Sequence, residues 1–190
     1  VVDALKRIGR YDDTAIFFSS DNGPSTESRN WLDGREDLYY GGSAGILRGH
    51  KASLFDGGIR EPALLSYPAQ LPAGRVCDAI GMMIDVVPTF LELADVAAPP
   101  GHLIDGRSIL PTLMEGKPSP HEQVFWEYAG QQAVRQGPWK LVLDGKLDFS
   151  RPAADRVFLS NLDLDPGERI NIRSYAVEGL CANPITIGLE

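Results

Sequence analysis

One stretch limits the fold more than any other: "AIFFSSDNGP", residues 15–24. Ala15 to Phe18 form an apolar run of strand length, with no alternation of polar residues, so both faces of the strand should be covered. Such strands belong to parallel sheets in α/β domains. Upstream, "VVDALKRIG" predicts the end of a helix, with Val1, Val2, Leu5 and Ile8 on one face and Gly9 as the stop. A chain that opens inside a helix reads as one continuing upstream, so the lack of a leader says nothing about localisation. The strand itself ends on an acid, an amide, a glycine and a proline.

The remaining elements follow the same logic. Residues 23–60 are glycine-rich and without periodicity, the signature of a functional or mobile connection. "PALLSYP" predicts a second buried strand over 62–68. "IDVVPTFLELADV" predicts the best helix, capped by Asp85, with Val87, Phe90, Leu91 and Ala94 as its apolar stripe. A short helical turn is expected around Ile109 to Met114. From residue 121, "QVFWEYA", "QAVRQG", "WKLVLDG" and "RVFLSNL" are short aromatic and β-branched runs between turn residues, which predicts an antiparallel meander. "DLDPGERINI" reads as a turn opening a final helix. A boundary is expected near Lys117 to Pro120.

Bulk properties exclude some roles. A net charge of −8 disfavours nucleic acid and anionic membranes as partners. No run approaches the ~18 apolar residues of a membrane span. Cys77 and Cys181 form neither a disulfide framework nor a Cys-x-x-Cys site, and read as buried or free thiols. His50, His102 and His121 lack metal-ligand spacing.

The acid–amide pair offers chemistry. In open α/β sheets ligands gather at the carboxyl ends of strands. Asp21 supplies carboxylate oxygens and Asn22 an amide oxygen, which suit Ca²⁺ or Mg²⁺ better than zinc. The same four residues also make an ordinary turn, and from them alone both readings stand.

The downstream motifs add to this. "SDNG" at 20–23 is followed by "GHK" at 49–51 and "DGGIREP" at 56–62. "DVVPTFLELADVAAP", "DGRSILPTLMEGK", "AVRQGPWKLVL" and "NLDLDPGERINI" then follow in order. Together they resemble the sulfatase family, the arylsulfatase-like branch of the alkaline phosphatase superfold, from about Asp3 to Arg173. The departures are Asp56 where Glu is usual, Asp95 where the helix usually ends on Gly, and Ile172 where Leu is usual.

The resemblance implies the C-terminal part of an α/β catalytic domain over 1–117 and a small antiparallel subdomain with a terminal helix over 118–190. It implies that Asp21 and Asn22 are ligands of Ca²⁺, with Mg²⁺ as an alternative, and that Lys51 contacts the sulfate group. His50 and Arg48 flank Lys51 and could line the pocket rim or lie on the surface. Arg60 is expected to pair with an acid beneath the loop. Asp12-Asp13 precedes the strand and reads as a turn at the opposite end of the sheet. The family nucleophile is a formylglycine made within Cys-x-Pro-x-Arg or Ser-x-Pro-x-Arg, and neither pattern occurs in these 190 residues.

The implied activity is therefore sulfuric ester hydrolysis by a complete protein of which this chain is one portion, inactive alone. The implied partner is a small-molecule or saccharide sulfate ester, and export to the periplasm or outside the cell is the family expectation. Phosphonate or phosphodiester hydrolysis, or a non-catalytic fragment, are the alternatives. "NWLDGREDLYYGGSAG" is the candidate lid, with Trp31, Tyr39 and Tyr40 able to stack on a ring.

Overall fold

The computed structural model describes residues 1–26 and 41–173. Trp31, Tyr39, Tyr40, Cys181 and the expected final helix lie outside the described residues. The chain divides into two compact units, one formed by 1–19 and 63–122, the other by 20–62 together with 123 onward. The segment between the first two strands thus belongs with the C-terminal sheet.

The first unit holds α1 (Val2–Arg7), β1 (Ile16–Ser19), β2 (Ala63–Ser66), a 3₁₀ turn (Met83–Asp85), α3 (Val86–Leu93) and α4 (Leu110–Glu115). α2, described below, lies in the other unit. β1 pairs with β2 antiparallel, Ile16 opposite Ser66 and Ser19 opposite Ala63. This corrects two expectations. The apolar run of β1 is not a parallel-sheet strand among the described residues, and neither strand is fully buried: Phe18 and Leu64, cross-strand partners, are each 69% exposed. An unbroken apolar run reports that both faces can be covered, and carries no information on strand direction.

α3 also departs from its expected face. Its buried residues are Thr89 and Leu93, preceded by buried Asp85, whereas Val87 and Ala94 are exposed. Polar atoms occupy the inner face because each is satisfied. Asp85 does not cap α3 with its side chain. Its carboxylate accepts from the backbone N–H groups of Met82 (2.7 Å) and Arg107 (2.9 Å) and meets His121 Nε2 at 2.8 Å. Thr89 Oγ1 donates to the Asp85 carbonyl and accepts from Ile109 N–H.

The second unit is built on the expected meander, β3 (Gln123–Tyr128), β4 (Gln131–Gln136), β5 (Trp139–Leu143) and β6 (Val157–Asn161), in sequential antiparallel order. Its core is Leu54, Phe55, Ala133, Val142 and Phe158, with Phe55 and Phe158 edge-to-face at 5.3 Å between centroids. Two core residues come from the connection expected to be irregular. Residues 53–58, ending in the one-turn α2 (Asp56–Ile59), are all buried. The glycine pair permits this: a Cβ on Gly57 would stand 2.6 Å from the Arg48 carbonyl oxygen.

Candidate active site

Residues 20–24 form a tight turn. Ser20 Oγ donates to the Asn22 carbonyl and Asn22 Nδ2 donates to the Gly23 carbonyl, both at 2.8 Å. This bond engages the amide nitrogen of Asn22. Gly23 N–H donates to the Gly58 carbonyl at 3.2 Å, and its Cα lies so close to the Gly57 carbonyl that a Cβ could not fit. Glycine is therefore needed here for close backbone approach.

The 48–58 segment brings the lysine to this turn. Lys51 N–H donates to the Pro24 carbonyl at 3.0 Å, so Lys51 lies beside the turn that carries Asp21 and Asn22. Lys51 and Asp21 are both exposed. Both ring nitrogens of His50 meet backbone carbonyls: Nδ1 lies 2.9 Å from that of Lys51 and Nε2 2.7 Å from that of Leu147. Arg48 is also turned inward, its guanidinium over Phe55 (4.2 Å) and Phe158 (4.6 Å), donating to the Glu168 carbonyl. Both residues fasten the loop through these contacts.

Glu61 is the site residue that sequence reasoning missed. Burial pushes its carboxyl above the usual range, the charge of Asp21 pushes it further, and a hydrogen bond from Ser20 opposes both. Its Oε1 is buried with no hydrogen-bond partner. An acid that follows Arg60 and enters a strand has no spacing that would mark it in the sequence.

Beneath the loop lies a buried charge cluster. Lys140 Nζ donates to Asp56 Oδ1 at 2.6 Å and stands 3.1 Å from Glu168 Oε1, paired in charge but outside hydrogen-bond geometry. Glu168 Oε2 accepts from the Asp56 N–H at 2.6 Å. Arg60 pairs with Asp56 Oδ2 at 3.6 Å, as expected of an arginine matched to an acid under the loop. Burial holds the Glu168 carboxyl above its ordinary range, against the opposing pull of Lys140.

One glycine-rich framework thus brings together the Asp21-Asn22 turn, an exposed lysine and a half-buried acid. The sulfatase family pattern matches residues 1–96, and the pattern described as N-sulphoglucosamine sulphohydrolase, C-terminal, matches residues 49–175. The chain belongs to the sulfatase family. It is 36% identical to human steryl-sulfatase over 155 residues, which are 80% of this chain and 26% of that protein. Among solved structures, PsFucS1 sulfatase from Pseudoalteromonas sp. is similar with a TM-score of 0.69 and 26% identity, over 90% of this chain and 35% of that one. BT4656, solved in complex with its substrate D-glucosamine-2-N,6-O-disulfate, shares the fold with a TM-score of 0.64 and 24% identity, over 93% of this chain and 33% of that one. The fold is the α/β, alkaline-phosphatase-like one of these sulfatases, and the chain spans about a third or less of the relatives named.

Proposed function

We propose that the complete protein carrying this chain is a sulfuric ester hydrolase, and that residues 20–24 and 48–61 supply one wall of its active site. The observation that carries this reading is the hydrogen bond from Lys51 N–H to the Pro24 carbonyl, which joins the lysine to the Asp21-Asn22 turn. In this reading 1–117 is the C-terminal part of the catalytic domain and 118–190 the small subdomain that supports it.

Asp21 and Asn22 would hold a Ca²⁺ ion, or Mg²⁺, through carboxylate and amide oxygens. The fit is favourable in kind: the buried, donorless Oε1 of Glu61 beside the charge of Asp21 makes an anionic place that a cation relieves. It is incomplete in number, since Ca²⁺ takes ~6–8 oxygens, and among the described residues no group of three or more His, Cys, Asp or Glu side chains could hold a metal. The remaining ligands and the formylglycine would come from sequence outside this chain. When bound, the metal would polarise the sulfate and the formylglycine would supply the nucleophile.

Lys51 would place its ammonium on a sulfate oxygen and offset charge there as the ester bond breaks. His50 would act through Lys51, holding its carbonyl, rather than by touching the ester. Alone, with neither nucleophile nor full ligand set, the chain would not turn over. The substrate class is a small-molecule or saccharide sulfate ester, a reading supported by the similarity to steryl-sulfatase. Export from the cytoplasm accompanies this proposal as a family expectation.

The test is Lys51→Ala in the complete protein, assayed on a chromogenic aryl sulfate and on a sulfated glucosamine. The expected outcome is a loss of kcat/KM of at least ~100-fold, the scale of removing one oxyanion-stabilising donor, with an unchanged unfolding midpoint. Kinetics near those of the unmodified protein would remove Lys51 from the site.

A further inference from the structure

We infer that Gln131, in the first position of β4, is the positioning residue of the Lys51 turn. The inference rests on the reading of Lys51 given above for its catalytic meaning, but its structural content stands on geometry. Gln131 is fully buried, an unusual place for a primary amide unless every polar atom is used. Its Nε2 donates to the Ala52 carbonyl at 2.9 Å and faces the Tyr128 carbonyl at 3.3 Å. Its Oε1 accepts from Lys146 N–H at 2.8 Å and lies 3.4 Å from Leu54 N–H. One side chain thereby ties the turn after Lys51 to the sheet.

The turn needs such a tie. Ala52 sits at φ +75°, in the left-handed region that a Cβ disfavours. Residues held there persist only where their surroundings impose the conformation. Lys51 N–H is fixed by Pro24, its carbonyl by His50, and the next carbonyl by Gln131. Without the last of these, the peptide between Ala52 and Ser53 keeps only the bond from Ser53 N–H to the His50 carbonyl at 2.9 Å, and the strained turn beside Lys51 loosens. A misplacement of ~1 Å at a reacting group costs about a hundredfold in rate.

Two variants of the complete protein separate the parts. Gln131→Leu removes all four contacts. Gln131→Glu keeps the acceptor for Lys146 and Leu54 and turns a second oxygen onto the Ala52 carbonyl. Amide hydrogen exchange is read at Ser53, Leu54, Lys146 and Val142, alongside kinetics on an aryl sulfate. Expected for Gln131→Leu is exchange at least ~10-fold faster at Ser53, Leu54 and Lys146, with Val142 unchanged. Expected for Gln131→Glu is loss at Ser53 with Lys146 still protected. Both should lower kcat at least ~10-fold with a smaller change in KM. Exchange unchanged at Ser53 and Leu54 overturns the inference, as does faster exchange spread evenly to Val142, the mark of a plain core residue. If Lys51→Ala is kinetically silent, the reading of Lys51 fails while the exchange data still decide what Gln131 holds.

Discussion

At the scale of residues, the buried cluster under α2 decides more than its size suggests. Lys140, Asp56 and Glu168 are withdrawn from water together, and such ions persist only when paired. Glu168 keeps a raised carboxyl pKa because burial outweighs the pull of Lys140. The folded chain therefore binds this proton more tightly than the unfolded chain, whose carboxyl titrates near 4.5. Between the raised folded value and 4.5, stability from this group rises as pH falls, and it is lost as pH rises through the folded value. Glu168→Gln should flatten that slope. Urea unfolding of both proteins from neutral pH down to about pH 4.5 measures it, and equal slopes would contradict the assignment.

The same scale explains what could be read in advance. Asp21, Asn22 and Lys51 are singled out by ordered motifs that resemble a family, and Arg60 meets the acid expected beneath the loop. Glu61 and Gln131 act through partners far along the chain, Gln131 reaching Ala52 across 79 positions. No local pattern reports such a pairing.

At the scale of elements, α3 shows how a correct helix can carry a wrong face. Of the apolar stripe Val87, Phe90, Leu91 and Ala94, the first and last are exposed, while Thr89 and Leu93 are buried beside Asp85, whose oxygens and that of Thr89 are satisfied by Met82, Arg107 and Ile109. Hydrophobic periodicity cannot see a satisfied polar atom. The helix end was more legible. Asp95 stands where the family places glycine, and it adopts φ +54°. Val96 N–H reaches the Leu91 carbonyl at 2.9 Å and Asp95 N–H the Glu92 carbonyl at 3.1 Å, the paired bonds of a Schellman cap. Asp95→Gly should raise stability by about 0.5–1 kcal/mol, relief of the Cβ strain being partly offset by a freer unfolded chain. A higher urea midpoint at unchanged slope is the expected result; a lower midpoint would show that the aspartate side chain holds the cap.

At the scale of the whole molecule, the path of the chain matters more than its linear order. The first unit is interrupted by residues 20–62, from which Leu54 and Phe55 enter the core of the second. The meander was legible because alternating short runs and turn residues encode an antiparallel sheet locally. The direction of β1 against β2 was not, since pairing is a property of two distant segments. The proposed cation site belongs to this scale as well. A divalent ion binding only the folded chain should raise the melting temperature with concentration. Millimolar CaCl₂, on the order of weak extracellular sites, should shift the unmodified chain and leave Asp21→Ala unmoved. No shift in either would withdraw the cation role for this chain by itself.

The seclusion of Lys140 has a chemical corollary. An amine held at 0% exposure between two carboxylates is closed to acylating reagents while the sheet is intact. Its modification would proceed only through local opening of the segments that cover it, at a rate set by that opening. An acyl group placed there in the open chain would erase the charge that Asp56 and Glu168 require, so reclosure would bury two unmatched acids. One lysine nitrogen thus turns a transient opening of this unit into a lasting one.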